Sequence, residues 1–392
     1  MALKSIDQAE LKGKRVLARF DFNVPLKEGQ ITDSSRIDLA LPTIKYILEQ
    51  GVSKLTLMSH HGRPKGKVNL DYSLEPVANY LADQLGEEVI LTEAPVDNGI
   101  KELLTLKSTK IVLLENLRFS PGEEANDKDF AQKLSEYGDI YVNDAFGAAH
   151  RKHASVHSIN QYFRGKAYAG FLLKKEIDSL NKILNQPIKP FVAIIGGAKV
   201  SDKIKTIERL LVNVDKLIIG GAMAYPFLKA KGFEVGKSLC SDEDFKLAQK
   251  ILKVDKGKKI ELPIDHIVSS EFGGPAESCE ETNIANDKMG LDIGAKTIAK
   301  FSEILKPAKT VLWNGPMGAF ENSDYAKGTF ALCEMIANLE AFTLVGGGDS
   351  VSAVNKSGYA DKISHISTGG GASLEYIEKG ELPGVNALRF GV

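Results

Sequence analysis

Lys199 and Lys203 stand four residues apart, just after Gly196–Gly197, and behind the glycines lie five apolar residues, Phe191 to Ile195. Five apolar residues are short for a helix and suit a buried parallel strand. Two glycines at its end allow a sharp turn and leave no side chain between backbone and ligand. The spacing predicts a helix next, with both ammonium groups on one face of its first turns. The free N–H groups and positive dipole end of that helix start add to the same field. Strand, Gly197, helix start and paired lysines make a site for phosphate oxygens. The same residues also fit a plain tight turn followed by solvated lysines. Neither standard nucleotide fingerprint is present: there is no G-x-G-x-x-G, and GFEVGKS (232–238) has one residue too few between its glycines to be a phosphate loop.

Two residue types divide unevenly along the chain. Seven of nine arginines lie in the first 164 residues, and 24 of 36 glycines lie after residue 170. Arginine reads carboxylate and phosphate with a rigid fork, whereas glycine lets backbone approach a flat or phosphorylated ligand. The first half is therefore expected to grip a small anion and the second a nucleotide. In the first half, KRVLARF (14–20) reads as a strand and DFNVP (21–25) as the loop at its carboxyl end, where ligands sit in open α/β sheets. Asp21 and Asn23 fit either a ligand contact or a simple turn. Arg36 sits in the first turn of the next helix, at the wrong end for a cation. That placement suits a grip on an anion, although a solvated arginine fits as well. After a second strand, Lys54 to Ser59, comes HHGRPKG with His60 and Arg63. After a third, Lys110 to Leu114, comes ENLRF with Arg118. Ile140 to Val142 leads into NDAFGAAHRKHAS with Arg151. Neither the pair His60–His61 nor the set His150, His153 and His157 has a further ligand spaced for a metal, so the arginines are read as the binding groups.

The second half repeats strand, glycines, helix: AIIGGAK, LIIGGAM, TLVGGGDS and ISTGGGAS, with MGLDIGAKT and VLWNGPMGAFE among them. This is a parallel, doubly wound pattern. Four such turns point to a nucleotide site built from backbone. Asp349 would begin a helix, where its carboxylate suits either Mg²⁺ against nucleotide phosphates or an N-cap. Glu321, ending a Gly/Pro loop, is placed to accept hydrogen bonds from ribose hydroxyls. Lys174 to Leu184 reads as the helix connecting the halves, stopped by Pro187 and Pro190.

At 392 residues, two or three domains are expected. Hydrophobic content of 43% and charged content of 26% are those of a globular protein in water. A net charge of −1 offers no global field for nucleic acid or an anionic membrane. Cys240, Cys279 and Cys333 are scattered and odd in number, which fits a reducing cytosol rather than a disulfide framework. MALKSIDQAE has no apolar h-region, so no secretion signal is expected, and no apolar run approaches a membrane span.

DFNVP, HHGRPKG, LLENLRF followed by PGEE, YVNDAFGAAHR, GGAKVSDKI, GGAM, LDIGAKT, WNGPMGAFE, GGGDS and STGGGASLE occur in the order and spacing of the phosphoglycerate kinase family, which the chain resembles from about Arg19 onward. It departs at His61, Pro226, Ala295 and Ala319, where Leu, Thr, Pro and Val are usual; the last two border the expected adenine pocket. The resemblance implies two doubly wound, Rossmann-like parallel-sheet domains. Residues 1–172, with 376–392 packing back on them, would bind phosphoglycerate; 173–185 would be the connecting helix; and 186–375 would bind nucleotide. It implies reversible, Mg²⁺-dependent transfer between 1,3-bisphosphoglycerate and ADP, giving 3-phosphoglycerate and ATP, in a cytoplasmic monomer. Residue by residue, it puts Asp21, Asn23, Arg36, His60, Arg63, Arg118 and Arg151 on the phosphoglycerate. It puts Gly197, Lys199, Lys203, Gly220, Gly221, Gly290, Leu291, Asn314, Pro316, Glu321, Gly347, Gly348, Asp349 and Ser350 on the nucleotide, with Asp349 on the metal.

Direct transfer needs no nucleophilic Ser, Cys or His, only positioning and neutralisation of the moving charge. Those roles are assigned to Arg36, Lys203 and the N–H groups near Gly370 and Gly371, with closure of the two domains about the connecting helix. Two other classes are weighed. A nucleotide-dependent oxidoreductase lacks its fingerprint here and would not need the arginine loops. A non-catalytic nucleotide-binding module would keep the glycines but not four loop arginines together with Lys203.

Overall fold

The structure, a computed structural model, describes residues 2–392. The chain forms two compact units, one running up to Asp178 and resuming over Glu381–Val392, the other Ser179–Gly380. The first is built on six strands: β1 (Arg15–Arg19), β2 (Lys54–Met58), β3 (Val89–Leu91), β4 (Ile111–Leu113), β5 (Ile140–Asn143) and β6 (Ala167–Ala169). All pair in parallel, in the order β3-β4-β2-β1-β5-β6. The apolar runs that mark these strands are continuous because both faces are covered. On β1, Val16 and Ala18 pack with Ile44, Leu55 and Leu81, while Leu17 packs on the other side with Met58, Leu134 and Ile159.

The second unit repeats the plan with β7 (Phe191–Ile195), β8 (Lys216–Ile219), β9 (Ile260–Glu261), β10 (Thr310–Asn314), β11 (Phe342–Gly346) and β12 (His365–Ile366), in the order β9-β8-β7-β10-β11-β12, again all parallel. Val192, Ile194, Trp313 and Val345 form one face of its core with Phe301 and Ile336. This unit also carries a three-stranded antiparallel sheet, Glu277–Cys279, His266–Ser269 and Met289–Ile293, which the sequence pattern did not announce. Among the described residues no helix is long and apolar enough to cross a membrane.

In each sheet the chain winds outward on one side of its first strand and then returns to the other side. The strand order thus reverses between β1 and β5 and between β7 and β10. Crevices form at such points beyond the carboxyl ends of the strands, and these two are where the candidate residues lie.

Three local expectations are corrected. The helix carrying Arg36 is two pieces, Ser35–Asp38 and Leu41–Glu49, because Pro42 has no N–H to donate back to the Asp38 carbonyl. The connecting helix is longer than expected, Phe171–Asn185. Its start is capped from a distance: Thr43 Oγ1 accepts from the Phe171 N–H at 3.0 Å, and Asp144 Oδ1 accepts from the Leu173 N–H at 2.9 Å. After β7 the helix begins only at Ile204, so Lys199 and Lys203 do not share a helical face.

Near the C-terminus, the helix Gly371–Lys379 belongs to the second unit, where Thr206 Oγ1 donates to Glu378 Oε1 at 2.8 Å. The helix Pro383–Phe390 packs on the first unit. The Gly384 N–H donates to the Ala149 carbonyl at 2.9 Å, and Leu388 leans on the core beneath β4 and β5.

Candidate active site

In the second unit, the ends of β7 and β10 abut so closely that only glycine fits. A Cβ on Gly196 would lie 2.1 Å from the Pro316 carbonyl oxygen, and one on Gly221 would lie 2.6 Å from the Gly197 nitrogen. The Gly196 N–H donates to the Asn314 carbonyl at 2.9 Å and the Gly197 N–H to the Pro316 carbonyl at 3.2 Å, which stitches the two loops together. Lys203 turns back over this seam. Its ammonium donates to the Gly196 carbonyl at 2.7 Å and to Asn314 Oδ1 at 2.6 Å. Burial lowers its pKa to about 8, against the opposing pull of Asp349 and Asp202. Lys199, by contrast, is exposed.

Beside the seam opens a cavity of about 460 Å³ whose lining includes Gly197, Gly221, Gly290, Leu291, Pro316, Glu321 and Asp349. Seven expected nucleotide residues are thereby gathered on one wall system. Gly220, Asn314, Gly347, Gly348 and Ser350 stand outside that lining. Asn314 and Ser350 are buried beneath it: Asn314 Oδ1 holds Lys203, and Ser350 Oγ accepts from the Gly315 N–H at 2.5 Å. Gly370 and Gly371 open the helix Gly371–Lys379 and also lie off the cavity.

Among the lining residues that escaped the sequence reading are Tyr225, Lys237, Ser238, Leu239, Phe272 and Met289. Lys237 and Ser238 come from GFEVGKS, the stretch set aside as no phosphate loop. Ser238 Oγ accepts from the Gly290 N–H at 2.9 Å and so ties this loop to the antiparallel sheet. Of the four departures from the family pattern, Ala319 lines the cavity. Ala295, exposed at the start of its helix, does not. Pro226 is buried in the helix Ala224–Ala230.

In the first unit the expected anion residues come from three loops at the carboxyl ends of β1, β2 and β4, from one after β5, and, for Arg36, from the short helix Ser35–Asp38. Asp21 Oδ2 accepts from Arg36 at 2.9 Å, which anchors an otherwise half-exposed arginine. Asn23 Oδ1 accepts from the Gly62 N–H at 2.8 Å and joins the first two loops. The same loop is tied to itself, since the Asn23 N–H donates to Asp21 Oδ1 at 3.3 Å.

Arg118 is buried, donates to the Gly62 carbonyl at 2.6 Å and lies 3.5 Å from Glu124. Burial and the Arg151 charge lower its pKa to about 10, which leaves it cationic near neutrality. Arg151 is half-buried and donates to His150 Nε2 at 3.2 Å, while Arg63 is exposed. His60 is buried, and burial together with Arg19, Arg118, His153 and Arg151 holds its pKa well below the ordinary histidine value. His153 is driven down to about 3 by burial and the same arginines. His61, next to His60, packs edge-on against Tyr72, and its Nε2 meets the Val24 carbonyl at 3.1 Å. The sequence reading missed Arg19, Glu123 and Ser155, which lie beneath this surface.

Cations converge at one crevice, and at the other a single buried ammonium stands over a backbone seam beside a cavity. Such an arrangement holds multiply charged oxygens, which is the work of a phosphotransferase of the two-unit α/β class. A model of the family described as phosphoglycerate kinase matches residues 6–380. Phosphoglycerate kinase of Borrelia turicatae is 51% identical over 393 residues, covering 99% of this chain and all of that one. The Bdellovibrio bacteriovorus enzyme of the same name is 50% identical over 392 residues, covering 99% and 97%. The solved phosphoglycerate kinase from Coxiella burnetii superposes with a TM-score of 0.91 at 38% identity, over 99% of each chain. The one from Pyrococcus horikoshii gives 0.84 at 33% identity, with the same coverage. The chain belongs to the phosphoglycerate kinase family.

Proposed function

We propose that this protein transfers a phosphoryl group reversibly between 1,3-bisphosphoglycerate and ADP, giving 3-phosphoglycerate and ATP. The first unit takes the phosphoglycerate, through Asp21, Asn23, Arg36, His60, Arg63, Arg118 and Arg151. The second takes the nucleotide in the cavity walled by Gly221, Gly290, Leu291, Pro316 and Glu321. The observation that carries this reading is Lys203: a buried ammonium held over the β7–β10 seam, beside a cavity large enough for a nucleotide base and sugar. The bond between phosphorus and the acyl-carboxylate oxygen breaks, its electron pair staying on the carboxylate, and a β-phosphate oxygen forms the new bond. Little covalent chemistry falls to the protein. It positions the partners and neutralises charge on the three equatorial oxygens. Lys203 does so from the nucleotide side and Arg36 from the phosphoglycerate side, with the helix-start N–H groups near Gly370 and Gly371 in support.

Asp349 fits a magnesium role. It is an exposed carboxylate that lines the cavity and lies close enough to oppose the lowering of the Lys203 pKa. Among the described residues no three His, Cys, Asp or Glu side chains gather as a metal site. A magnesium ion held by Asp349 would therefore draw its other oxygens from phosphates and water, and when bound it would offset phosphate charge. The protein is read as a cytoplasmic monomer whose two units close for transfer; scattering curves identical with and without both substrates would count against that closure.

The test is ADP formation from ATP, Mg²⁺ and 3-phosphoglycerate in a coupled assay. Turnover is expected only with all three present. ATP binding without turnover would reduce the chain to a nucleotide-binding module.

A further inference from the structure

Arg19, at the end of β1, is 0% exposed and cannot touch a bound acceptor. Its fork is occupied inside the protein. Nε donates to Ser155 Oγ at 2.9 Å, Nη1 donates to the Phe20 carbonyl, and Nη2 meets His60 Nδ1 at 3.0 Å. Ser155 is itself braced: its hydroxyl donates to Glu123 Oε1 at 2.6 Å and its N–H to Glu123 Oε2 at 3.0 Å. Glu123 is equally buried and lies 4.0 Å from Arg19 Nη2 and 3.9 Å from His153 Nδ1.

A guanidinium has donors only and keeps its proton. At 3.0 Å from it, His60 Nδ1 has to be the acceptor, so the ring's proton resides on Nε2. The Asp21 carboxylate, which would favour the opposite arrangement, is 4.0 Å from Nδ1 and outside hydrogen-bond range. We propose that Arg19, braced by Ser155 and Glu123, is a positioning residue that sets His60 as its Nε2–H tautomer, so that the ring meets anionic oxygens of the acceptor with a donor. The inference rests on the reading that this crevice takes phosphoglycerate.

The charged and titratable groups facing His60 are Arg19, Arg118, Arg151, His153 and Asp21, and only Asp21 is acidic. Burial and that positive surround keep the ring neutral. A neutral imidazole has two tautomers, chosen by the hydrogen bond its other nitrogen makes. Without Arg19 the ring is free to turn a lone pair toward an anion.

Long-range ¹H–¹⁵N spectra of the full chain labelled with ¹⁵N-histidine, with His60 assigned by His60→Gln, read this directly. The expected result is an unprotonated Nδ1 and a protonated Nε2, unchanged between pH 8 and pH 5. A protonated Nδ1, or titration of the ring within that range, overturns the proposal. Arg19→Lys keeps a positive charge beside Glu123 but cannot span Ser155 and His60 together. It is expected to lose the tautomer preference and to raise KM for 3-phosphoglycerate on the order of ten-fold, the loss of one charged-group hydrogen bond, with KM for ATP unchanged. A wild-type spectrum, an unchanged KM, or two KM values rising together overturns the positioning role. Should Arg19→Lys fail to fold, Ser155→Ala, which removes the brace alone, is read by the same criteria. Absence of wild-type turnover would sink the functional reading while leaving the spectrum to decide the role of Arg19.

Discussion

At the β1–β5 crevice charge is carried by long side chains, with Arg118 and His60 buried among them, whereas at the β7–β10 crevice glycine turns open a cavity beside one lysine over the seam. The difference matches what each is read to hold. A small, multiply charged acid presents oxygens in several directions, and arginine forks from separate loops can meet them one by one. A nucleotide presents a flat base and a sugar, and glycines such as Gly221 and Gly290 leave room for these beside apolar side chains. The two designs also fail differently. The side-chain crevice depends on buried charges that become costly when their partners go. The second crevice depends at its glycines on the absence of atoms.

The strongest way to break the comparison is to remove the cation each unit is proposed to offer to the moving phosphoryl group. Arg36→Ala and Lys203→Ala are each expected to lower kcat by roughly 10³-fold or more, as charge-stabilising residues do in phosphoryl transfer, with unfolding midpoints near wild type for Arg36→Ala. A loss in kcat of less than ten-fold for either would remove that residue from the reacting centre. Lys203→Ala has a second consequence, because Lys203 also ties the Gly196 carbonyl to Asn314, and a raised KM for ATP should accompany the loss.

Next in size is the buried pair of the first unit. Glu123→Ala leaves the Arg19 guanidinium at 0% exposure without its carboxylate. Removing one partner of a buried pair costs roughly 3–5 kcal/mol, to be read from urea unfolding. A cost under about 1 kcal/mol would mean that Arg19 is neutralised by something other than Glu123.

How much of this was legible in the sequence follows from how far each interaction reaches along the chain. The twelve sheet strands were mostly visible because both faces of each sheet are covered, so strands such as Phe191–Ile195 read as unbroken apolar runs. The glycine turns were visible because they follow those runs directly. The lysine spacing misled for a tertiary reason. The Ser201 N–H donates at 2.9 Å to the Asp244 carboxylate, 43 residues away, which holds a turn where the local pattern suggested a helix. Arg19, Ser155 and Glu123 meet across separations of 136 and 32 residues, and no local pattern announces such a pairing. Tyr225 and Phe272 were missed because a lone aromatic reads as core until its cavity is seen.

A smaller effect tests the second crevice. A Cβ on Gly290 would lie 2.0 Å from the Tyr225 hydroxyl, and both residues line the cavity. Gly290→Ala therefore has to push Tyr225 aside, and KM for ATP should rise on the order of ten-fold, within the roughly 1–3 kcal/mol that overpacking costs, while KM for 3-phosphoglycerate stays put. Equal changes in both would mean that the two crevices are not independent.

The smallest effect distinguishes the crevices by pH alone. The Lys203 pKa is lowered to about 8, and that of Arg118 only to about 10. Raising the pH from 7 to 8 should thus discharge about half of Lys203 in the free enzyme, and kcat/KM for ATP should fall roughly two-fold with an apparent pKa near 8. KM for 3-phosphoglycerate should not follow, because Arg118 in the proposed acceptor crevice remains charged. Stability moves the other way. Between pH 8 and 10.5 the unfolded chain keeps a proton on this lysine that the folded chain has lost, so ν_U exceeds ν_N and this group's contribution to unfolding free energy rises with pH. Activity falling while stability rises over the same interval would be the mark of a lysine held in its buried place for its charge. A joint decline would instead mean that the loss of activity above pH 8 reports unfolding, and the ammonium over the seam would have to be assigned a structural role.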